Sequence, residues 1–529
     1  MNRSRRITPR GRLVAALAIL AIVVPGPALG AAGSGSAKPS TDSYRTTSAS
    51  FVGPGAVAGV TFQPLINSGE TAFGTVFEGI PDGIGVVPGA GPHGYVDLYV
   101  AHEQSRVPFG TADLQDSSVS RVRVDLETKR IIAMEVVLSP DEGFIRFCSA
   151  FMAGPEHGFP HYTFLVNEES NDPLVVPAGA VYGPDPAYGS LNQRQAGYSV
   201  FLDTANGKIG VLSNAGRHNH ENQVIVPGGW KGIYSVSGDD SFASPSTPAR
   251  PNLSQLYMFA SKNWQSFQKD EGSLWAFRVT ATQAGPIADP LTYTGANDYL
   301  DMVGSDDWKG EFIAVPGDVA RGETVALPQD ALEDWSNEKN VFQFVRVEDI
   351  AYDPDNPRVL YFADSGTSRL TPTGTGRLYR AGSGGTTTLG RIFRMELDAD
   401  DPTKVVSFRI VDTSSIAMRN PDNIEVGHDS LMVQEDVSNA KIWRYSLDAA
   451  IPAWSHVATA TQSGAETSGI VDVSNWFGDG WWALDVQSHI PIAGSEVTRT
   501  YAGPGSQNGV IHTARREQGQ LLLMYVPGS

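Results

Sequence analysis

One short phrase recurs along this chain. A turn rich in glycine, proline and acid leads into a strand ending on an acidic residue, and a second strand with a small-x-apolar-aromatic core follows. The acid-ended strands include YVDLYVAHE, HYTFLVNEE and RVLYFADSG, and the partners GSLWAF, GRLYRA, GRIFRM and AKIWRY. Period-2 alternation between regular turns specifies short strands, and repeated units of a few strands specify a β-propeller, each repeat being one small sheet. The 56 glycines and 34 prolines fit many tight turns and few long helices. The expected fold class is therefore all-β, a β-propeller with long loops; a large sandwich assembly is the competing arrangement. Six blades at the usual ~40–45 residues each leave residues over, so either the loops are long or the blades are more numerous.

Two stretches break the pattern. Pro286 to Asn340 contains DALEDWSNEKN, the best short helix candidate, and reads as an insertion between blades (about 286–340). Ser241 to Asn252, where prolines and serines alternate in quick succession, reads as a loop.

The start of the chain has the parts of an export signal. Arg3, Arg5, Arg6, Arg10 and Arg12 precede the apolar run Leu13–Val24, and Ala28-Leu29-Gly30 offers small residues for cleavage. Ser4-Arg5-Arg6 leaves both a twin-arginine and an ordinary secretory signal open. The expected organisation is a signal over 1–30, a flexible Ser/Ala/Thr/Gly linker over 31–50 and a propeller over 51–529. No later segment reaches the ~20 apolar residues of a membrane span. The expected location is outside the cytoplasm: periplasmic, cell-surface or secreted. Net charge is −19, and the signal carries five arginines and no acid, so the remainder is more negative still. That argues against nucleic acid and anionic membranes as partners and suits a protein that collects multivalent cations.

The single cysteine, Cys148, cannot form an internal disulfide. It is a buried small hydrophobe, an intermolecular bridge or a thiolate ligand, and the acids elsewhere favour a ligand. Those acids recur at strand ends or in the turn before a strand: Glu103, Glu168-Glu169, Glu221, Asp239-Asp240, Glu348-Asp349, Asp422, Glu435-Asp436 and Glu466. Propeller strand ends converge around the axis, so one carboxylate per blade makes a cluster that repels itself unless cations bind. Oxygen ligands suit calcium, and an added thiolate suits a transition metal such as iron. There is no Gly-x-Ser-x-Gly elbow around a plausible nucleophile, no His-Glu-x-x-His helix and no Walker loop. His218-Asn219-His220-Glu221 forms a standalone metal site only if a turn brings its alternating side chains together.

In order, the chain carries AHE at Ala101–Glu103, CSA at Cys148–Ala150, Glu168-Glu169, GRHNHE at Gly216–Glu221 and YSVSGDD at Tyr234–Asp240. It then carries RVED at Arg346–Asp349, PDN at Pro421–Asn423 and ETSG at Glu466–Gly469. This ordered set resembles the motifs of the PhoX-type alkaline phosphatases, an exported propeller family, and spans Ala101 to Gly469. The resemblance implies a six-bladed propeller with helical additions and a site holding calcium ions and an iron pair. It implies that Cys148 is an iron ligand and that Glu103, the Glu168-Glu169 pair, Glu221, Glu348 and Asp422 are metal carboxylates. It implies that Arg346 clamps the phosphate of a small phosphomonoester, whose charge must be neutralised as phosphorus is attacked. The chain departs from the family where AFMAGPEHGFPHYTF follows the cysteine, and where the family's phosphate-contacting lysine is matched only by Arg146. Two other functions fit a calcium-bearing propeller: a lactonase or esterase, and a non-catalytic module whose rim binds a partner.

Overall fold

The computed structural model describes residues 42–89, 94–103, 115–186, 188, 192–241, 254–304, 306–322, 327–366, 389–450, 452–500 and 511–529, with backbone alone at 497–500 and 511–514. The expected export signal, linker residues 31–41, most of the Ser241–Asn252 loop and the GRLYRA strand lie outside the described residues. Residues 42–50, expected as linker, lie against the propeller: Tyr44 pairs with Ile131, and the Thr46 amide donates to the Leu65 carbonyl at 2.9 Å.

The strands form a six-bladed β-propeller. The inner strands of the blades are Pro81–Pro88, Phe147–Ala153, His220–Ile225, Val347–Asp353, Pro421–Val426 and Glu466–Asp472. Each pairs antiparallel with a second strand, and the blade continues outward to a third and a fourth. Blades three and four are joined. The insertion between them supplies the strand Asp307–Ala314, which pairs with Gly272–Thr282 on one side and Lys404–Val411 on the other. The helix Pro328–Glu338 covers the DALEDWSNE segment of the same insertion. The sixth blade closes the ring: Thr61–Asn67 from near the N-terminus pairs with Ile511–Tyr525, beside Trp481–Thr500 and the inner strand Glu466–Asp472.

Position in the blade explains the sequence pattern. Second strands are packed on both faces by neighbouring blades and read as nearly continuous apolar runs: in Tyr95–His102 every residue but Tyr95 is buried. Strands further out are less enclosed, and in Ser118–Asp125, the third strand of the first blade, buried and partly exposed residues alternate from Ser120 to Asp125. Blades three and four share an aromatic core that includes Phe277, Phe342, Phe344, Phe362, Phe393 and Phe408. Each such buried side chain contributes about 1.5–3 kcal/mol.

A single local irregularity recurs in every blade and builds the centre. Where the inner strand meets the second strand, the register gains one residue. Pro81 lies opposite His102 but Ile84 opposite Val100; Phe147 opposite Glu168 but Ala150 opposite Val166; His220 opposite Asp239 but Gln223 opposite Ser237. The same step separates Val347/Asp364 from Ile350/Phe362, Pro421/Glu435 from Ile424/Val433, and Ser468/Asp485 from Val471/Ala483. A bulge of this kind bends the strand and re-aims the extra side chain. Inner strands crowd there: a Cβ on Gly83 would lie 2.2 Å from the Ala150 nitrogen, and one on Gly469, whose φ is +49°, 2.2 Å from the Asp82 carbonyl oxygen. The other ends of the same six strands line a cavity of about 420 Å³ at the opposite end of the channel.

Candidate metal centre

The bulges of the first five blades carry Asp82, Cys148, Glu221, Glu348 and Asp422, each the second residue of its inner strand. The sixth blade carries Gly469 at that point of its register. Glu103 and Glu169 join them, each immediately following the second strand of its blade. Ligand atoms of these seven side chains form three overlapping groups, with all atoms in a group within 4.8 Å of one another. The groups are Asp82, Glu103 and Cys148; Cys148, Glu169 and Glu221; and Glu221, Glu348 and Asp422. Cys148 and Glu221 are shared, so the donors form one continuous set drawn from five blades.

The set is electrostatically unfavourable by itself. Burial, then the charge of Glu103, raises the Asp82 carboxyl to about 8. Burial also pushes Glu221 well up, aided by Glu348, Glu169 and Asp82, and Asp422 well up, aided by Glu348 and Glu221. Glu169 and Glu348 are raised in the same way, although Arg146 and Arg346 respectively oppose the shift. The Cys148 thiol is driven up by burial and four surrounding carboxylates, and donates to Asp82 Oδ2 at 3.3 Å. Oxygen donors with one sulfur, held as mutually repelling acids, fit multivalent cations: the ions would replace the shared protons.

Two guanidinium groups flank the set. Arg346 donates to both Asp240 oxygens at 2.8 Å and lies 2.9 Å from Glu348 Oε1. Its φ is +125°, a conformation rare for a side-chain-bearing residue, and it precedes the strand Val347–Asp353. Arg146, also at positive φ (+44°), reaches Glu169 Oε1 at 3.7 Å. Below the donors a network fixes the bulges. Ser149 donates to Glu221 at 2.7 Å, Asn423 to Ser149 at 2.7 Å and Ser468 to Asn423 at 3.0 Å. Gln487 donates to Asp82 Oδ2 at 2.7 Å. A further chain runs outward from Asp436, which bonds Glu466; His489 bridges Glu466 at 2.8 Å and Glu517 at 2.9 Å.

Of the carboxylates expected as metal ligands, Glu103, Glu169, Glu221, Glu348 and Asp422 converge here with Cys148. Glu168 does not. Its two oxygens are occupied by the buried Arg194 guanidinium, one contact being 2.6 Å, and by the Ile145 and Tyr198 amides at 3.2 Å. The reason is parity: Glu168 is the last residue of its strand, opposite Phe147, and faces into the blade, while Glu169 turns to the axis. His218 and His220 stack on each other with ring centres 3.6 Å apart and are not in the donor set, although Glu221 beside them is. Sequence reasoning missed Asp82. Its signal was present, since Pro81-Asp82-Gly83 repeats the Pro421-Asp422-Asn423 phrase at the same strand position. Asp240 was noted as an acid, but its pairing with Arg346 joins segments 106 residues apart.

No protein-family profile and no curated protein matches the sequence. Among solved structures, the chain is similar to Pseudomonas fluorescens PhoX in complex with vanadate, a transition-state analogue. The TM-score is 0.57 at 13% identity, covering 90% of this chain and 98% of that one. The fold is shared; at this identity the likeness extends no further. A putative 6-phosphogluconolactonase from Bacteroides fragilis aligns with a TM-score of 0.35 at 8% identity, covering 80% of this chain and 98% of that one, too low to support a conclusion. Among the described residues no helix is long and apolar enough to cross a membrane.

Proposed function

We propose that this chain is an extracytoplasmic, metal-dependent hydrolase of small organic phosphomonoesters. The observation that carries the reading is the convergence of six carboxylates and one thiol from five blades, flanked by Arg146 and Arg346. The vanadate-bound PhoX structure supports it through the common fold. Asp82, Glu103, Glu169, Glu221, Glu348 and Asp422 would hold calcium and iron ions, and Cys148 would be a ligand to iron. When bound, the ions polarise the phosphoryl oxygens and acidify water for attack. Outside the cytoplasm is where the 1–30 segment directs the chain.

The protein's own groups bind and orient. Asp240 fixes the plane of the Arg346 guanidinium, whose positive charge beside Glu348 would attract a phosphoryl dianion. Arg146 supplies a second cation beside Glu169, at the place where the family's lysine is absent. Ser149, Asn423, Ser468 and Gln487 hold the carboxylates below and bear the preorganisation. Without cations the set repels a dianion, so phosphate binding depends on the metals.

The experiment is metal analysis and phosphomonoester hydrolysis on the same purified samples. Iron and calcium both present, with turnover lost on chelation and restored by the two ions, is the expected result. A chain loaded with both ions that hydrolyses no phosphomonoester overturns the substrate class. Calcium without iron removes the assignment of Cys148.

A further inference from the structure

The residues opposite the bulges form a second ring around the axis: His102, Glu168, Asp239, Asp364, Glu435 and Asp485. All are buried. In three blades the carboxylate at this position is consumed by main-chain donors. Glu168 accepts from two amides and Arg194. Asp364 accepts from the Val345 and Gly366 amides. Glu435 accepts from the Arg419 and Lys441 amides and the Trp443 indole. Asp239 accepts from the Ser241 hydroxyl through Oδ1, and its Oδ2 is unpartnered. Asp485 goes furthest. It is 0% exposed, and neither of its carboxylate oxygens has a partner among the described residues.

Asp485 is not alone in this. It shares a face of Trp481–Thr500 with Ala483 and Gln487, and that face turns to the first blade, where Ala483 packs with Ile84 and Val100. Gln487 spends its amide nitrogen on Asp82, and its Oε1 is unpartnered at 2% exposure. Asp82 gives Oδ2 to Cys148 and Gln487, and its Oδ1 is unpartnered, also at 2% exposure. Asp485 lies opposite Ser468 in the ladder, next to Gly469, where the inner strand abuts the Asp82 main chain. Unsatisfied buried oxygens are costly, and an uncompensated buried carboxylate costs far more. Here they belong to the facing sides of the sixth and first blades, and among the described residues none of them has a hydrogen-bond donor.

We propose that Asp485, Asp82 and the Gln487 amide oxygen bind a calcium ion in the seam between the sixth and first blades. The donors are all oxygen, as calcium requires, and water would complete its six to eight ligands. Asp82 stands between this site and the thiol-bearing centre, offering an oxygen to each. The sixth blade is the one closed by Thr61–Asn67 on Ile511–Tyr525, so the ion would tie that closing blade to the first and stabilise the folded state by its binding free energy. This inference is independent of the phosphatase reading, because the seam ion is counted without any turnover.

The test is Asp485→Asn in the full chain, with calcium per chain measured by equilibrium dialysis against calcium alone and melting followed in parallel. The variant is expected to bind one calcium fewer than the unmodified protein and to gain less in melting temperature from added calcium. An unchanged calcium count in a variant at least as stable as the parent overturns the proposal, since it marks Asp485 as a neutral acid. If Asp485→Asn does not fold, terbium soaked into crystals of the unmodified protein decides. An anomalous peak between Asp485 and Asp82 is expected, and terbium at the main donor set without one in the seam sinks the proposal.

Discussion

Two rings of acid stand side by side at one end of this propeller, and they are stabilised in opposite ways. Opposite the bulges of the second, fourth and fifth blades, Glu168, Asp364 and Glu435 accept hydrogen bonds from main-chain amides, and Glu168 also pairs with Arg194. Those carboxylates hold the blade's own loops. At the bulge itself, Asp82, Glu221, Glu348 and Asp422 meet chiefly each other and a thiol. The same residue type is thus structural where the backbone supplies donors and ligand-ready where it does not. Glu168 and Glu169, adjacent in sequence, fall on the two sides of this division.

The comparison predicts unlike responses to like substitutions. The largest effect is expected for Glu168→Gln, which leaves Arg194 buried without its charge partner; a cost of about 3–5 kcal/mol is expected, read by denaturant unfolding. Glu221→Gln should instead stabilise the metal-free protein, because it removes one of the repelling charges. With metals supplied, the same variant should lose hydrolysis on the order of 100-fold, about 2.7 kcal/mol in the barrier. If Glu221→Gln unfolds the metal-free chain as Glu168→Gln does, the distinction between the rings is wrong.

Smaller changes sharpen the picture at the rim. Arg346→Lys keeps the charge but loses the planar fork, so turnover should fall about 10-fold or more while metal content stays constant; parent-like rates would remove Arg346 from substrate contact. A pH-dependent effect is expected at His489. Burial lowers its pKa, but the bonds to Glu466 and Glu517 overcome this and lift it to about 11. A raised folded-state pKa gives stability that is complete below the unfolded value of about 6.5 and is lost as pH climbs towards 11. His489→Gln should therefore cost more stability at pH 6 than at pH 10, and a cost that does not change with pH would show the imidazole to be neutral.

Much of this was legible in the residues. Alternation and turn spacing specify the propeller, because a half-wet outer strand must alternate to bury one face. The acids recurring at strand ends mark the axis, and Cys148 stands out among them. Alternation along an extended strand would place Arg346 and Glu348, two residues apart, on one face. Their contact forms by a different route: Arg346 lies outside the strand at positive φ, and a bulge follows Val347. The same argument applied to Glu168-Glu169 leaves undecided which of the pair reaches the axis. That depends on the register with Phe147–Ala153 and on Arg194, 26 residues away.

The sequence alone determined that this chain forms short antiparallel strands in repeated sheets, gathers acid around a common axis and places a single sulfur among it. Those properties follow from local chemistry: side-chain period, turn residues and charge. Only the tertiary structure decided which acids share a site. A one-residue bulge in each blade selects the side chain that faces the axis. Partners from distant segments, such as the Tyr198 amide that donates to Glu168 and the Arg346 guanidinium that donates to Asp240, decide which carboxylates remain for a cation. Asp485 is the clearest case, since its sequence neighbours are those of an ordinary buried strand and only the packing of the sixth blade on the first leaves it without a donor.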